Sequence, residues 1–322
     1  MACLTNTLPV QRAADLECQA LEHTWLIHSL WGRAAVGIIG GAPKSCKSWL
    51  GLDMALSVAS STACLGQFPV KQPGPALVYL AEDALPAIRS RLEALCTHRQ
   101  LDIRTLDLHV ITSPTLWLDQ PQDQGRLQTT LEQLKPRLLL LDPLVRLHTG
   151  DENSSADISK LLGFLRTLQR TYDTAVVLVH HASKKHRAQP GQALRGSSDL
   201  HAFGDSNLYL ARNKTQLTLT FEHRSAKAPD PMTLELISSP EGTDTHLAVC
   251  SLPVPDRSAD LSERVLLVLQ NTACPLSRKN LRETLKVNNQ RLGETLQALQ
   301  KQGVAVPTEK GWVMVRSTVT LD

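Results

Sequence analysis

Val36-Gly-Ile-Ile-Gly-Gly-Ala-Pro-Lys-Ser-Cys-Lys-Ser-Trp-Leu-Gly-Leu52 is the stretch that decides the fold. It reads as a strand, a tight loop and the start of a helix. The loop from Gly41 to Ser48 fits the phosphate-binding pattern G-x-x-x-x-G-K-[ST] except at Cys46, which stands where the second glycine belongs. Backbone N–H groups in such a loop, together with the N-terminus of the following helix, form an anion site. The stretch therefore predicts a nucleoside triphosphate site.

Within this loop, Lys47 is expected to reach the β- and γ-phosphates and Ser48 to ligate Mg²⁺. The predicted nucleotide-binding residues are Gly41, Ala42, Pro43, Lys44, Ser45, Cys46, Lys47, Ser48 and Trp49. The Cβ of Cys46 crowds the backbone where glycine lets phosphate approach, which leaves open whether hydrolysis is impaired. Its thiol lies beside Lys47 and a helix N-terminus, so we expect the thiolate to be favoured.

Two later apolar runs end in acids. The run that begins at Ala76 ends at Glu82 and Asp83, where a carboxylate can orient and deprotonate an attacking water. Asp83 can alternatively cap the following helix. The run 137–142 ends at Asp142, at the strand end where open α/β sheets bind ligands, and is expected to hold Mg²⁺ through water. The alternative for Asp142 is a turn before Pro143.

A third apolar run, 175–181, ends in His180 and His181. Strand alternation places the two imidazoles on opposite faces, so one can sense the γ-phosphate while the other packs. A metal pair is the rival interpretation, although the sequence shows no further cluster at ligand spacing. Arg195 follows a polar loop and is either a surface residue or a group that stabilises transition-state charge in a neighbouring subunit.

Together these segments resemble the RepA-type hexameric plasmid replication helicases, within the RecA-like ATPase superfamily. The resemblance covers roughly residues 25–225. Its motifs are the Pro-Lys-Ser phosphate loop, Val78-Tyr-Leu-Ala-Glu-Asp83 followed by Ala87-Ile-Arg-Ser-Arg-Leu92, the strand ending at Asp142, Asp151-Glu-Asn153, His180-His-Ala-Ser-Lys184 and Arg195-Gly-Ser-Ser198.

The resemblance implies that Lys47 and Ser48 bind ATP and Mg²⁺, that Glu82 activates water and that Asp142 serves the metal. It also implies a phosphate sensor at His180 or His181 and an arginine finger in trans at Arg195. Cys46 departs from the family glycine, and the C-terminal extension is a second departure.

Alternating strand and helix patterns organise the chain from residue 36 to about 212. Strands are predicted near 36–40, 76–81, 108–112, 137–142, 175–181 and 206–211, with helices near 47–60, 84–98, 122–134 and 155–171 between them. Such alternation indicates an α/β fold with a parallel, doubly wound sheet. The resemblance implies that this is a RecA-like P-loop NTPase core with a mostly parallel twisted sheet. Period-two runs near 215–222, 232–237 and 246–250 predict an antiparallel edge.

The predicted domains are an entry segment over 1–32 with a helical stretch at 14–22, an ATPase domain over 33–250, a linker over 251–260 and a small winged-helix-like domain over 261–322. Three helical patterns and a hairpin with its turn near 309–311 suggest the last of these. Its third helix would read duplex DNA, with Asn288, Asn289, Gln290 and Arg291 at its entry; contacts with protein or use as a lid are the alternatives.

Composition and charge distribution bear on the binding partners and the cellular compartment of the protein. The net charge of +3 does not by itself indicate nucleic-acid binding, but residues 260–316 hold nine basic and five acidic residues, hence +4. The loop 183–195 is also basic, and Lys184, Lys185 and Arg187 are predicted to contact single-stranded DNA. Seven scattered cysteines, no signal segment and no membrane-length apolar run predict reduced thiols, a cytoplasmic protein and no membrane partner.

The leading hypothesis is an ATP-hydrolysing oligomeric motor that acts on DNA, a RepA-like replicative helicase of a plasmid or mobile element. ATP would bind between subunits of a homo-oligomeric ring, expected to be a hexamer, with single-stranded DNA in its channel. The alternatives are an ATP-switched DNA-binding initiator or regulator without helicase activity, and a nucleotide-binding scaffold that does not hydrolyse.

Overall fold

The computed structural model describes residues 10–16, 24–151, 154–181, 198–213, 216–250, 260–270, 275–285, 287–308 and 311–314. The chain divides into two compact units, Met1–Cys250 and Ser251–Asp322. Among the described residues, no helix combines the length and apolar character needed to cross a membrane.

A short hairpin, β1 Trp25–Ile27 and β2 Trp31–Gly32, precedes the phosphate loop. The side chains of Ile27 and Trp31 are fully buried and belong to the same core cluster as the helix after that loop. The sequence analysis did not predict these strands, and it did not decide where the entry segment packs. The structure packs the described residues 24–32 on the core of the first unit. Of the helix predicted at 14–22, residues 17–22 lie outside the described residues, and Ala13–Asp15 form a single 3-10 turn.

Nine described strands form the central sheet. They are β3 Val36–Gly41, β4 Ala76–Leu80, β5 Leu108–Val110, β6 Leu138–Asp142, β7 Ala175–His181, β8 Ser206–Asn213, β9 Gln216–His223, β10 Met232–Ser238 and β11 Thr245–Val249. Their order is β11-β10-β9-β8-β3-β7-β6-β4-β5. Neighbours from β8 to β5 pair in parallel, and those from β8 to β11 pair antiparallel. The predicted mostly parallel sheet with an antiparallel edge is confirmed.

Helices cover both faces of the parallel half, because its strands are apolar on both sides. The helices of this unit are α1 Lys47–Ser60, α2 Leu85–Arg99, α3 Pro121–Leu134, α4 Ser155–Tyr172 and α5 Ser198–Phe203. On β6, Leu138 and Leu140 face the core beneath α1 and α2, whereas Leu139 and Leu141 face the core beneath α3 and α4. Alternation thus builds a three-layer sandwich and brings the carboxyl ends of the parallel strands to one edge.

Glycine at the end of β3 lets β8 approach the phosphate loop closely. A Cβ at Gly41 would lie 2.4 Å from the Leu210 carbonyl oxygen and 2.6 Å from the Ser45 Oγ, so only glycine fits without a backbone shift. This contact brings the end of β8 beside the loop.

The second unit contains α6 Leu261–Gln270, α7 Arg278–Leu285, α8 Asn289–Lys301 and an antiparallel pair, β12 Ala305–Thr308 and β13 Gly311–Met314. The buried leucines of the three helices form its own core, and Leu276 makes a further antiparallel bridge to Trp312. Three helices and a hairpin lie where their patterns predicted them. The description of this unit as a winged helix stays a prediction.

Candidate active site

The phosphate loop runs from the end of β3 to the start of α1. Cys46 is the N-cap residue of α1 and, like Lys44, has a left-handed backbone, with φ of 62° and 64°. Lys47 is 5% exposed, and its Nζ donates a hydrogen bond to the Ala42 carbonyl at 2.9 Å. The ammonium group is therefore held over the loop, and the first turn of α1 contains no acidic residue.

Asp142 ends β6 next to the loop and is 6% exposed. Ser48 lies on the same cavity wall as this carboxylate, whose Oδ2 is buried with no hydrogen-bond partner among the described residues. Burial raises the pKa of Asp142 to about 6, although the Ser48 hydroxyl and the charge of Lys47 lower it. Burial likewise lowers the pKa of Lys47.

These groups fit a magnesium ion. Mg²⁺ prefers carboxylate, hydroxyl and water oxygens. A buried carboxylate oxygen without a partner, next to a serine hydroxyl, supplies that chemistry, and a cation there would offset the burial that disfavours the Asp142 charge.

The two acids after β4 differ in their surroundings. Asp83 makes two hydrogen bonds with the Arg91 guanidinium, at 2.6 and 2.9 Å, and that guanidinium lies 5.8 Å from the centroid of the Trp49 ring. Glu82 is 47% exposed in its side chain and accepts a bond from Arg146 Nε at 3.1 Å. The N-cap residue of α2 is Ala84, so the alternative that Asp83 caps this helix is wrong. The Asp83 carboxylate is instead paired with Arg91, and Glu82 is the more exposed of the two acids.

The two histidines at the end of β7 take different positions. His180 is 1% exposed, whereas His181 lies on the wall of the cavity beside the phosphate loop. That cavity measures about 310 Å³ and is lined by Lys44, Ser45, Cys46, Lys47, Ser48, Trp49, Glu82, Asp83, Arg91, Asp142 and His181. Segments far apart in sequence thus meet at the carboxyl ends of parallel strands, where open α/β sheets bind ligands.

Arg212, near the end of β8, is a site residue that the sequence analysis missed. Its guanidinium donates to the Lys44 carbonyl and to the Cys46 Sγ, both at 2.9 Å. A single arginine in a strand does not indicate a contact with the phosphate loop. That contact arises only because β8 pairs with β3.

The expectation of a Cys46 thiolate is wrong in sign. Burial raises the pKa of the thiol and outweighs the hydrogen bond and charge of Arg212, which lower it. The described cysteines at 46, 64, 96 and 250 form no disulfide.

Several predicted residues fall elsewhere. Lys184, Lys185, Arg187 and Arg195 lie outside the described residues. In the second unit, Asn289, Gln290 and Arg291 are exposed on the first turn of α8. Asn288 caps that helix, since its Oδ1 accepts the Arg291 backbone N–H at 2.8 Å.

The chain is similar to known proteins in sequence and in fold. A family model described as an AAA domain matches residues 5–187, more than half of the 322-residue chain. The crystal structure of the RadB recombinase is similar, with a TM-score of 0.49 and 15% identity, over 64% of this chain and 88% of that one.

A second similar structure is described as that of a DnaB-like replicative helicase and its interactions with primase. It matches with a TM-score of 0.52 and 15% identity. The match covers 66% of this chain and 57% of the helicase chain, so this chain spans little more than half of the helicase. At this identity the likeness shows the fold alone, an α/β core with a mostly parallel sheet and an antiparallel edge.

Proposed function

The chain belongs to the AAA domain family, and from this membership we propose that it is an ATP-hydrolysing oligomeric motor that acts on DNA, of the RepA-like replicative helicase type. The observation that carries the proposal is the convergence of Lys47, Ser48, Asp142 and Glu82 around one cavity. A phosphoryl-transfer site needs a phosphate cradle, ligands for a cation and a positioned base, and these four residues supply each of them.

In the proposed mechanism, Lys47 leaves the Ala42 carbonyl and binds the β- and γ-phosphates of ATP. Ser48 would hold Mg²⁺ directly and Asp142 would hold it through water. When bound, the ion neutralises charge that develops on the transferred phosphoryl group. The raised pKa of Asp142 means that its carboxylate is charged, and able to serve a cation, above about pH 6.

Glu82 is proposed to orient the attacking water and accept its proton. For this, its carboxylate must turn from Arg146 toward the cavity, and the exposure of both side chains leaves room for the movement. His181 is the proposed sensor of the γ-phosphate because it lies on the cavity wall. Arg195 is proposed to act in trans from a neighbouring subunit of a hexameric ring.

Two regions are proposed to contact DNA. Lys184, Lys185 and Arg187 would bind single-stranded DNA in the channel of the ring. In the second unit, Arg278, Lys279, Arg282 and Arg291 are exposed on α7 and α8, which supports a phosphate-binding surface there. Asn289, Gln290 and Arg291 would contact the duplex from the start of α8.

A second candidate is an ATP-switched DNA-binding regulator without helicase activity. The observation that favours it is Cys46, a non-glycine residue with a left-handed backbone in the phosphate loop. If the Cβ of Cys46 crowds the approaching phosphates, the chain would bind nucleotide yet turn it over slowly, and the second unit would carry the function.

The deciding experiment is the ATPase rate with and without single-stranded DNA. We expect DNA to raise the rate of the parent protein, Lys47→Ala to lose activity, and the control Lys160→Ala, on the exposed surface of α4, to behave as the parent. ATP binding with a slow rate that DNA does not change would favour the regulator. Absence of ATP binding by the parent would contradict both proposals.

A second experiment tests the channel. Neutralising Lys184, Lys185 and Arg187 together should weaken single-strand binding and reduce its salt dependence by up to about two units of slope, at about 0.7 per phosphate contact. Basal ATPase should survive, because none of the three is proposed to touch nucleotide. An unchanged salt slope would contradict the channel assignment.

A further inference from the structure

Two imidazoles and a carboxylate meet where the end of α2 packs beside the edge strand β11. His98 lies in the last turn of α2, and Asp244 and His246 flank the first residue of β11. Because strand side chains alternate, positions 244 and 246 point to the same side. Residues separated by 146 positions in sequence thus share one small site.

The Asp244 Oδ1 lies 2.9 Å from the His246 Nδ1 and 3.4 Å from the His98 Nδ1. The two imidazole rings are stacked, with centroids 3.3 Å apart and planes 14° apart. Three atoms that can each offer a lone pair therefore face one another, and this arrangement needs protons or a cation between them to be favourable.

The separations suit a cation. Nitrogen and oxygen ligands lie about 2.0–2.2 Å from Zn²⁺, so two ligands of one ion are about 3.0 Å apart at a right angle and about 3.4 Å apart at the tetrahedral angle. The two measured separations, 2.9 and 3.4 Å, fall at these values. Each imidazole lone pair lies in the plane of its ring, so one ring must turn out of the stacked arrangement for both lone pairs to face a single ion.

Other histidine–carboxylate contacts in the described residues lack the second imidazole. His109 pairs with Asp107 at 2.6 Å, and His201 pairs with Glu222 at 2.9 Å. Within the part of the chain that the structure describes, the group of His98, Asp244 and His246 is the one in which three such ligand atoms converge.

We propose that His98, Asp244 and His246 form a binding site for a divalent transition-metal ion, Zn²⁺ in the first place. Imidazole ligands favour zinc over magnesium or calcium, and three protein ligands leave a fourth position for water. The side chains of His98 and Asp244 are 40% and 41% exposed, so an ion can enter from solvent.

The ion would fasten α2 to the edge of the sheet. Asp83 precedes α2, whereas His98 lies in its last turn, about 20 Å away along a helix of this length. The site is therefore distinct from the proposed magnesium position and does not depend on the proposed function.

The experiment uses the untagged full chain, stripped with chelator and free of nucleotide. Titration with Co²⁺, followed by optical absorption, separates a nitrogen and oxygen site from binding to cysteine thiolates, because a thiolate ligand adds a near-ultraviolet charge-transfer band. Zn²⁺ competition and the metal-induced shift in Tm then report affinity. The variants are His98→Ala, His246→Ala and the matched control His109→Ala.

We expect one equivalent of Co²⁺ without the thiolate band in the parent and in His109→Ala, displaced by Zn²⁺. His98→Ala and His246→Ala should each weaken binding at least about tenfold, the minimum effect seen even for groups that only support a ligand. His98→Gln provides an exposed substitution if His246→Ala does not fold. Absence of binding by the parent, or equal binding by the parent and the His98 variants, would overturn the proposal.

Discussion

The parallel and antiparallel halves of the central sheet differ in how far the hydrogen-bonding groups of their polar side chains are satisfied. At the end of the parallel strands, the Asp142 Oδ2 and the Ser45 Oγ are buried without hydrogen-bond partners among the described residues. In the antiparallel half, Tyr209 donates to Glu222 at 2.9 Å, and the Ser238 and Thr245 hydroxyls lie 2.7 Å apart. Since unsatisfied buried groups are costly, the first half carries a cost that a ligand can relieve, whereas these hydroxyl groups of the second half find their partners within the protein.

The largest expected effect is on turnover in the parallel half. Glu82→Gln should lose at least about 100-fold in ATPase rate, the scale for removing a positioned base, and retain ATP binding. Glu132→Gln, on the exposed surface of α3, is the control and should match the parent. Hydrolysis at the parent rate by Glu82→Gln would remove its assigned role and make Asp83 the next candidate, despite its pairing with Arg91.

Without nucleotide, substitutions in the two halves of the sheet should change the free energy of unfolding in opposite directions. Asp142→Asn should stabilise the protein by up to about 3 kcal/mol at pH 8, because a pKa raised from 3.8 to about 6 means that the charged form is disfavoured in the folded state. The gain should decrease as pH falls below about 6 and disappear below about pH 4, where the carboxyl is protonated in both folded and unfolded states. Denaturant unfolding at pH 8, 6 and 4 measures this.

Tyr209→Phe, by contrast, should lower the free energy of unfolding. It removes the hydroxyl that donates to Glu222 and leaves this carboxylate with one contact fewer, at a cost of about 1–2 kcal/mol. The same unfolding experiment at pH 8 applies. If both substitutions destabilise equally, the contrast between the halves is wrong.

The smallest effect concerns the phosphate loop. Cys46→Gly should raise stability by up to about 1 kcal/mol, since glycine adopts a φ of 62° without strain, and should leave ATPase at least as high as in the parent. Ser61→Gly, at a φ of 60° after α1, is the matched control and should give the stability gain alone. A marked loss of activity in Cys46→Gly would show that the cysteine, with Arg212, contributes to the site.

Much of the core could be predicted from sequence because its signals are local. Apolar runs that end in Asp142 and His181 mark buried parallel strands, and glycine and lysine at fixed spacing mark the phosphate loop. The hairpin of β1 and β2 was missed because strands of three and two residues show no periodicity. Arg212, the Asp83–Arg91 pair and the cluster of His98 with Asp244 and His246 depend on strand order and helix packing, which no short window of sequence contains.

The most direct test of the account is the additional stabilisation that Mg²⁺ gives to the ATP-bound protein, measured as the change in Tm at pH 8 when Mg²⁺ is added to saturating ATP. The account predicts a clear rise in the parent, because Asp142 and Ser48 hold the ion beside the phosphates, and little or no rise in Asp142→Asn. An equal rise in both proteins would show that the buried carboxylate does not serve the metal and would contradict the account.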